Sequence, residues 1–169
     1  MFRGRYPACG HRNDTMIQLE YFTLQDADVL RKKLYSDWTA ASIRAMITQW
    51  NTKEFHGKHF EMFAVKSDGV IVGCISLAQQ NGTTVSIGPE IFLPYRKCGF
   101  AAKAMCQAME IAHERGFTAV SQQVRVNNTA SIRLHEKLGF ETDGQEYTTR
   151  HGNACRMYRK DLRQEPGTE

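Results

Sequence analysis

The stretch VSIGPEIFLPYRKCGFAAKAMCQAMEIAHERG, residues 85–116, predicts a strand, a tight basic turn and one long helix that ends at a glycine. Arg96 and Lys97 bring positive charge to the turn, and Gly99 lacks the Cβ that would keep an anion away from the main chain. The helix that follows offers unpaired N–H groups and the positive end of its dipole. We therefore expect an anionic group to bind at this turn.

The turn by itself also suits a purely structural role, because glycine is common wherever a strand leads into a helix. The sequence contains neither a Walker motif nor G-x-G-x-x-G, so the two commonest nucleotide-phosphate loops are excluded. A second segment, NTASIRLHEKLGF at residues 128–140, follows a predicted strand and ends a short helix. Here too a structural alternative exists, because Asn128 is a good helix N-cap.

In this order and spacing, the two segments resemble the GNAT superfamily of acetyl-CoA-dependent N-acetyltransferases. The first matches the signature Q/R-x-x-G-x-G/A at Arg96, Gly99 and Ala101. The second matches N-x-x-[AS]-x-x-L-[YH]-E-K-x-G-F at Asn128, Ser131, Leu134, Glu136, Lys137, Gly139 and Phe140. The resemblance extends over residues 16–162. It implies an α/β (α+β) fold with a mixed, mostly antiparallel sheet of six to seven strands, about four flanking helices and a splay between the fourth and fifth strands.

Length and composition favour one domain. The chain has 169 residues, of which 41% are hydrophobic, and this is enough apolar material for one sizeable core. We expect a flexible N-terminal extension at residues 1–15, a single acetyltransferase domain at 16–162 and a loose polar tail at 163–169. The net charge of +4 comes from scattered residues, and there is no basic stripe of the kind that binds nucleic acid.

Membrane and metal functions are not expected from the sequence. No apolar run reaches the ~18 residues of a membrane span, and no hydrophobic signal core is present. The five cysteines are odd in number and irregularly spaced, which is typical of reduced thiols in a cytoplasmic protein. Cys9 and His11 form no set of metal ligands, and Phe117 occupies the position of the second histidine that a zinc-binding helix from His113 would need.

Hydrophobic periodicity predicts strands near residues 17–22, 60–66, 70–78, 83–93 and 118–126, with further strands of poorer alternation near 141–149 and 153–160. Helices are predicted from Thr23, over 39–50, over 101–115 and over 129–138, and a loop over 51–58. Proline cannot donate to a ladder, so Gly88-Pro89 predicts a bulge or a local splay in the fourth strand.

The resemblance implies acetyl-CoA as co-substrate and no metal. Main-chain groups at the end of the fourth strand would pair with the pantetheine arm, and N–H groups of the turn would hold the pyrophosphate, with charge added by Arg96 and Lys97. Asn128 and Ser131 would contact the arm further along. The implied coenzyme-binding residues are Ile91, Phe92, Leu93, Arg96, Lys97, Cys98, Gly99, Phe100, Ala101, Ala102, Asn128 and Ser131.

An amine acceptor poses a proton problem, because an ammonium with a pKa of ~10.4 must lose a proton before it can attack a thioester. Glu90, on the strand that would meet the thioester, is the predicted general base, although it could also be an ordinary exposed carboxylate. A main-chain N–H near Ile91 or Phe92 would hold the oxyanion. The family commonly has a tyrosine acid at the position of His135, so we predict His135, or otherwise Ser131, as the acid.

The acceptor is less well defined by the sequence. In the resembling family the first two helices and their connection form one wall of the acceptor cleft, which makes Tyr35, Asp37 and Trp38 candidate substrate contacts. The acceptor could be a small amine or a protein N-terminus, and the oligomeric state could be a monomer or a homodimer. The absence of the usual tyrosine also leaves open a second function, a non-catalytic module that senses acyl-CoA.

Overall fold

The computed structural model describes residues 15–163. Apart from Thr15 and Arg163, the predicted N-terminal extension and polar tail lie outside these residues. The described chain forms one sheet of eight strands in the order β1-β3-β4-β5-β6-β8-β7, with β2 paired to β3. The strands are β1 (Ile17–Tyr21), β2 (Glu54–Phe55), β3 (Lys58–Ser67), β4 (Val70–Asn81), β5 (Thr84–Ile91), β6 (Ala119–Arg125), β7 (Tyr147–Thr148) and β8 (Ala154–Asp161).

Helices cover both faces of the sheet. They are α1 (Ala27–Lys33), α2 (Ala40–Trp50), α3 (Phe100–Glu114) and α4 (Thr129–Lys137). Along β3 the side chains alternate between faces, so that Phe63 packs in the core under α3 while Ala64 packs in the core under α1 and α2. The predicted mixed, mostly antiparallel sheet with four helices is confirmed. Within residues 15–163 no helix is both long and apolar enough to cross a membrane.

The predicted splay separates β5 from β6. These two strands are parallel, and their ladder contains two pairs, Thr84 with Ala119 and Val85 with Val120. Beyond Val85 the strands diverge toward their carboxyl ends. All other paired strands in the described part of the sheet are antiparallel, so the splay lies at the one parallel junction. The predicted separation of the fourth and fifth long strands is therefore confirmed.

The prediction of a bulge or a local splay at Gly88-Pro89 is confirmed in its second form: β5 is splayed from β6 at these residues and has no bulge there. The register between β4 and β5 runs without a shift from the pair Gln79–Val85 to the pair Gly73–Ile91. In an antiparallel pair, successive residues direct their N–H groups alternately toward the two neighbouring strands. Phe92 donates to Val72 on the β4 side, so Pro89 faces β6 and its missing N–H removes no bond to β4. Proline is therefore tolerated in β5 because that side of the strand is splayed.

Close contact between β4 and β5 depends on Gly73. A Cβ at this position would lie 2.4 Å from the Glu90 carbonyl oxygen and 2.9 Å from the Ile91 Cα. Such distances are too short for any side chain, so the absence of a Cβ lets the end of β5 lie tightly against β4. This contact holds the segment that carries Glu90.

Several predicted boundaries differ from those observed. The predicted loop at 51–58 contains β2, which returns to β3 through a turn in which His56 and Gly57 both have positive φ. The predicted strand at 83–93 ends at Ile91, because Pro94 stands in a short 3-10 turn at Leu93–Tyr95. The predicted strand at 141–149 reduces to β7 and an isolated bridge from Glu141 to Arg159.

The first predicted helix starts as a 3-10 turn, Leu24–Asp26, before α1 begins. The Asp26 carboxylate accepts a hydrogen bond of 2.8 Å from the Thr23 N–H, as expected for the acid of a capping box. The buried residues of α3 are Ala102, Ala104, Met105, Ala108, Met109 and Ala112. Ala101 lines the cleft described below.

Candidate active site

The splay between β5 and β6 opens into a cleft of about 640 Å³, bounded further out by the turn before α3 and by α4. The three predicted catalytic residues, Glu90, Ser131 and His135, all line this cleft. All but three of the predicted coenzyme-binding residues line it as well, the exceptions being Phe92, Leu93 and Cys98. The fold thus brings the two sequence motifs together on opposite walls of one cavity.

The basic turn begins α3 without a side-chain cap. Gly99 is the N-cap residue with φ of 80°, and Lys97 has φ of 62°. A Cβ at Gly99 would meet nothing within 4 Å, so glycine is required here by the left-handed backbone and not by a steric contact. The first N–H groups of a helix lack intrahelical partners, and here they belong to residues that line the cleft. This is a favourable position for an anion.

The positive charge of the cleft is concentrated near this turn. Arg96, Lys97 and Lys137 line the cleft, and Lys137 comes from the end of α4. Among the described residues that line the cleft, Glu90 is the one carboxylate. The cleft therefore combines a cationic end formed by the turn and α4 with a single acidic side chain on β5.

Arg96 folds back onto β5. Its Nε donates to the Ile91 carbonyl oxygen at 2.9 Å, and its Nη2 lies 3.3 Å from Glu90 Oε1. The two side chains of this ion pair are 54% and 51% exposed. An ion pair this exposed contributes little to stability, so the guanidinium can exchange partners at small cost.

Phe92, Leu93 and Cys98 lie outside the cleft for different reasons. Phe92 is 2% exposed in the core, and its N–H donates to the Val72 carbonyl oxygen at 2.9 Å. Leu93 begins the 3-10 turn and is 75% exposed. Cys98 is exposed and its thiol contacts the Arg96 carbonyl oxygen at 3.4 Å. The Phe92 N–H already donates to Val72. Successive N–H groups of a strand point to alternate sides, so the N–H of Ile91 points toward the splay. Of the two predicted oxyanion donors, only the Ile91 N–H faces the cleft.

Asn128 caps α4. Its side-chain oxygen accepts a hydrogen bond of 3.1 Å from the Ser131 N–H, and both residues line the cleft. The cap therefore fixes the first turn of α4 at the wall of the cavity. Asn128 therefore acts as an N-cap and also lies at the cleft.

His135 does not have the features of the predicted general acid. The side chain is 2% exposed, and its Nδ1 donates to the Ser131 carbonyl oxygen at 2.7 Å. Nε2 is closed to solvent and has no hydrogen-bond partner among the described residues. Burial lowers the pKa of His135, although the bond to Ser131 opposes this shift. The imidazole is consequently neutral near pH 7, with its proton on Nδ1, so it has no Nε2 proton to give.

The predicted acceptor residues do not line the cleft. Tyr35 and Trp38 contact each other with ring centroids 5.2 Å apart, and Asp37 is exposed between them. The pKa of Tyr35 is raised by burial first, and then by the neighbouring Cys74 and Glu90. Tyr35 packs against the core cluster that contains Cys74, and Cys74 is paired with Glu90 in the β4–β5 register, so the loop between α1 and α2 lies near Glu90.

Sequence reasoning gave no role to several residues of the cleft, among them Tyr95, Lys137 and Gln122. Tyr95 follows Pro94 in the 3-10 turn, and Lys137 belongs to the second motif but was given no role; both line the cleft. Gln122 on β6 also lines it, and its side-chain oxygen accepts the Ile87 N–H at 3.1 Å. Motif spacing could have suggested Lys137, whereas the partner of Gln122 depends on the pairing of strands that are distant in sequence.

Metal ligands and reactive thiols are not features of this cleft. No group of three or more His, Cys, Asp or Glu side chains within residues 15–163 could hold a metal ion. The four cysteines of the same region form no disulfide, and none of them lines the cleft. Burial and then Glu90 raise the pKa of Cys74 to about 12.

Comparison with known proteins decides the family. The profile of the Acetyltransferase (GNAT) family matches residues 25–140, which include both motifs and the cleft between them. The chain belongs to this family. The acetyltransferase is 33% identical over 130 residues to the SPbeta prophage-derived uncharacterized N-acetyltransferase YokL of Bacillus subtilis (strain 168), covering 73% of this chain and 71% of that protein.

Solved structures share the fold of the acetyltransferase at low sequence identity. Mycobacterium smegmatis RimJ in complex with CoA-disulfide has a TM-score of 0.77 and 15% identity, over 90% of this chain and 85% of RimJ. RimL, a ribosomal L7/L12 alpha-N-protein acetyltransferase in complex with coenzyme A, has a TM-score of 0.71 and 16% identity, over 88% of this chain and 95% of RimL. The predicted enzyme class is confirmed: the protein is an acyltransferase with acetyl-CoA as its co-substrate.

Proposed function

We propose that this acetyltransferase moves the acetyl group of acetyl-CoA onto a primary amine by direct attack in a ternary complex, and that the amine is the N-terminus of a protein. The observation that carries the proposal is the distribution of charge in the cleft. Cations and helix N–H groups lie at the turn, and the one carboxylate, Glu90, lies on the splayed strand. This polarity suits an anionic coenzyme at one end and a cationic amine at the other.

The pyrophosphate of the coenzyme binds at the turn in this proposal. N–H groups at the start of α3 donate to it, and Lys97 and Lys137 add charge. The pantetheine arm lies along the splayed side of β5, where Ile91 offers main-chain groups and Asn128 and Ser131 face it from α4. The exchangeable ion pair of Arg96 with Glu90 allows the guanidinium to turn toward phosphate when the coenzyme binds.

Glu90 is the proposed general base. A primary ammonium with a pKa of ~10.4 must lose a proton, which costs roughly 4–5 kcal/mol at pH 7. The Glu90 carboxylate, directly or through a water molecule, takes this first proton. The neutral amine nitrogen then forms a bond to the thioester carbonyl carbon, and the Ile91 N–H stabilises the oxyanion.

Collapse of the tetrahedral adduct breaks the carbon–sulfur bond. The second proton of the amine nitrogen passes to the sulfur, so the products are the amide and the free thiol of coenzyme A. Ser131 donates a hydrogen bond to the leaving sulfur in this proposal. His135 acts as a positioning residue, because its Nδ1 bond to the Ser131 carbonyl oxygen holds that turn of α4 against the cleft.

Direct attack is favoured over an acyl-enzyme by the state of the cysteines. A nucleophilic cysteine needs a lowered pKa, whereas the pKa of Cys74 is raised to about 12. Cys98 is exposed on the turn and does not line the cleft. Neither thiol has the environment that transfer through a covalent intermediate requires.

The proposed acceptor class rests on fold relatives and on the open acceptor side. RimL acts on the alpha-amino group of the ribosomal protein L7/L12. The loop between α1 and α2 lies near Glu90 and presents Trp38 with 46% of its surface exposed. An exposed aromatic side chain beside an open cleft can pack against the first residues of a polypeptide, whereas a small amine needs a closed pocket.

The test is thiol release from acetyl-CoA with a panel of acceptors at equal concentration. The panel contains peptides with free and blocked N-termini, lysine, a polyamine and an aminoglycoside. We expect activity with free N-terminal peptides and none with blocked ones. Faster turnover of the small amines would reject the protein acceptor while keeping the transferase. Tight binding of coenzyme A without acetylation of any amine would instead favour the acyl-CoA sensor.

A further inference from the structure

The inner end of the cleft is closed by one side chain. The β5–β6 ladder ends at Val85 and Val120. Continuing the same register by two residues places Ile87 opposite Gln122, and there the strands are joined by a side chain instead of by their backbones. Gln122 Oε1 accepts the Ile87 N–H at 3.1 Å, and Gln122 lines the cleft.

At the next position beyond this bridge, β5 has no donor. Two residues after Ile87 the next position facing β6 is Pro89, which has no N–H. A second bridge like that of Gln122 is therefore chemically impossible at this position. Along β5, the paired residues come first, then the bond from Ile87 to Gln122, and then Pro89. The Gln122 amide therefore marks the inner end of the cleft, which we call its floor.

The orientation of the coenzyme follows from the proposed function, on which this inference rests. The pyrophosphate binds at the turn, beyond the carboxyl end of β5, and the arm runs back along β5 toward its amino end. The acyl group is the far end of that arm. It therefore approaches the floor formed by Gln122 and the neighbouring Gly88 and Pro89, all three of which line the cleft.

We propose that Gln122 sets the length of the acyl group that the enzyme accepts. Its side chain occupies the space between the strands that additional methylene groups would need, so acetyl fits and longer acyl groups collide with the amide. The bond to the Ile87 N–H holds the side chain across the gap and prevents it from turning aside. Gly88, next to the floor, contributes no side chain of its own.

The experiment compares acetyl-, propionyl- and butyryl-CoA with wild-type protein and Gln122→Ala, measuring Kd by calorimetry and kcat/KM with the best acceptor from the panel above. Alanine removes four heavy atoms from the floor. We expect the preference for acetyl-CoA over butyryl-CoA to fall at least tenfold, since one methylene in an apolar pocket is worth about tenfold or more. The control is Gln123→Ala, because Gln123 is the same residue type on the opposite face of β6 and contacts Cys155.

Two further variants distinguish the volume of the residue 122 side chain from its hydrogen bond to Ile87. They also keep the proposal testable if Gln122→Ala does not fold. Gln122→Met keeps the length of the side chain but cannot accept the Ile87 N–H, so it should keep only part of the acetyl preference. Gln122→Asn shortens the side chain by one methylene, and should admit propionyl but not butyryl.

Three results would overturn the inference while leaving the transferase intact. They are a wild-type protein that uses all three thioesters equally, a folded Gln122→Ala protein with wild-type selectivity, and a selectivity change as large in Gln123→Ala. Failure of the proposed function is distinguishable from these, because wild-type protein would then release no thiol with any acceptor, whether or not it binds coenzyme A.

Discussion

The Arg115 guanidinium contacts both carboxylate oxygens of Glu61, with Nε 3.3 Å from Oε2 and Nη2 3.2 Å from Oε1. The Glu61 side chain has no exposed surface and also accepts hydrogen bonds from Tyr21 and His59. Burial raises the pKa of Glu61, but the bonds from Tyr21, His59 and Arg115 outweigh burial and lower it overall. The ion pair attaches the carboxyl end of α3 to β3 of the sheet. The amino end of the same helix lines the cleft.

We predict that Glu61→Gln lowers the free energy of unfolding by about 2–3 kcal/mol, because three donors lose a buried charged acceptor. The loss stays below that of a fully buried pair, since the Arg115 side chain is 38% exposed and regains water. Urea unfolding followed by circular dichroism measures the change. The control is Glu146→Gln, whose exposed ion pair with Arg156 should contribute less than about 1 kcal/mol. Equal losses for both variants would contradict a special role for the buried network.

The lowered pKa of His135 predicts a pH dependence of stability. The unfolded chain takes up a proton near the ordinary pKa of 6.5, while the folded chain resists protonation until a lower pH. The unfolded state then binds more protons in this range, so stability is complete above pH 6.5 and falls as the pH drops below it. His135→Gln should flatten the slope of unfolding free energy between pH 6.5 and pH 5. A slope identical to that of the wild type would show that His135 does not titrate in this way.

Gly99→Ala tests the turn before α3. The positive φ of 80° disfavours a side chain although space is open, so we expect a stability loss of about 1 kcal/mol. Affinity for coenzyme A should fall much more, by at least tenfold, because the added methyl group and the shifted backbone disturb the N–H groups that bind the pyrophosphate. Gly69→Ala is the matched control, with φ of 77° and equally open space. It should lose similar stability but bind coenzyme A normally, as calorimetry can show.

Lys97 and Lys137 should contribute to coenzyme binding through charge. Each exposed charge within about 4 Å of a phosphate is worth about 1 kcal/mol, so Lys97→Gln and Lys137→Gln should each weaken binding roughly fivefold. The effect should shrink at 1 M salt, where the screening length is about 3 Å. Lys33→Gln, on α1 away from the cleft, is the control. A loss of affinity that does not depend on salt would point to a packing role instead.

Glu90→Gln tests the general base. Loss of the carboxylate should lower kcat by about a hundredfold or more, while the Kd of coenzyme A stays within a small factor. Activity should recover partly at high pH, because more of the amine is then already neutral. Glu20→Gln offers a closely matched comparison, since Glu20 is a half-exposed strand carboxylate paired with Lys66. Unchanged turnover of Glu90→Gln would remove Glu90 from the mechanism.

Much of the fold follows from patterns that are local in sequence. The predicted helix starts at Thr23, Thr39 and Asn128 are each stabilised by a hydrogen bond between residues three positions apart, so their prediction needs no knowledge of distant strands. Where tertiary contacts decide the outcome, the sequence left alternatives open. For Gly88-Pro89 the alternatives were a bulge and a local splay, and the divergence of β6 from β5 decided for the splay.

The chemistry of single side chains was harder to predict than their presence in the site. His135 lies on the cleft as the second motif implies, but its burial against Phe140 and Tyr158 leaves it neutral and poorly suited to donate a proton. Phe92 lies on the strand that the resemblance implies, but its N–H is bonded to Val72 across the sheet. The protonation state of a side chain and the hydrogen bonds still open to it depend on every helix and strand packed around it. A sequence motif describes only the helix or strand that carries the residue.

By itself the sequence determined the family, the turn at residues 96–101 that we propose binds an anion, and the N-cap of α4, because left-handed glycine, helix capping and helix dipoles are properties of a few consecutive residues. Only the tertiary structure decided that Gln122 bridges to Ile87, that Arg96 pairs with Glu90 and that His135 is neutral. These depend on where β5 and β6 separate and on which groups the packed chain shields from water.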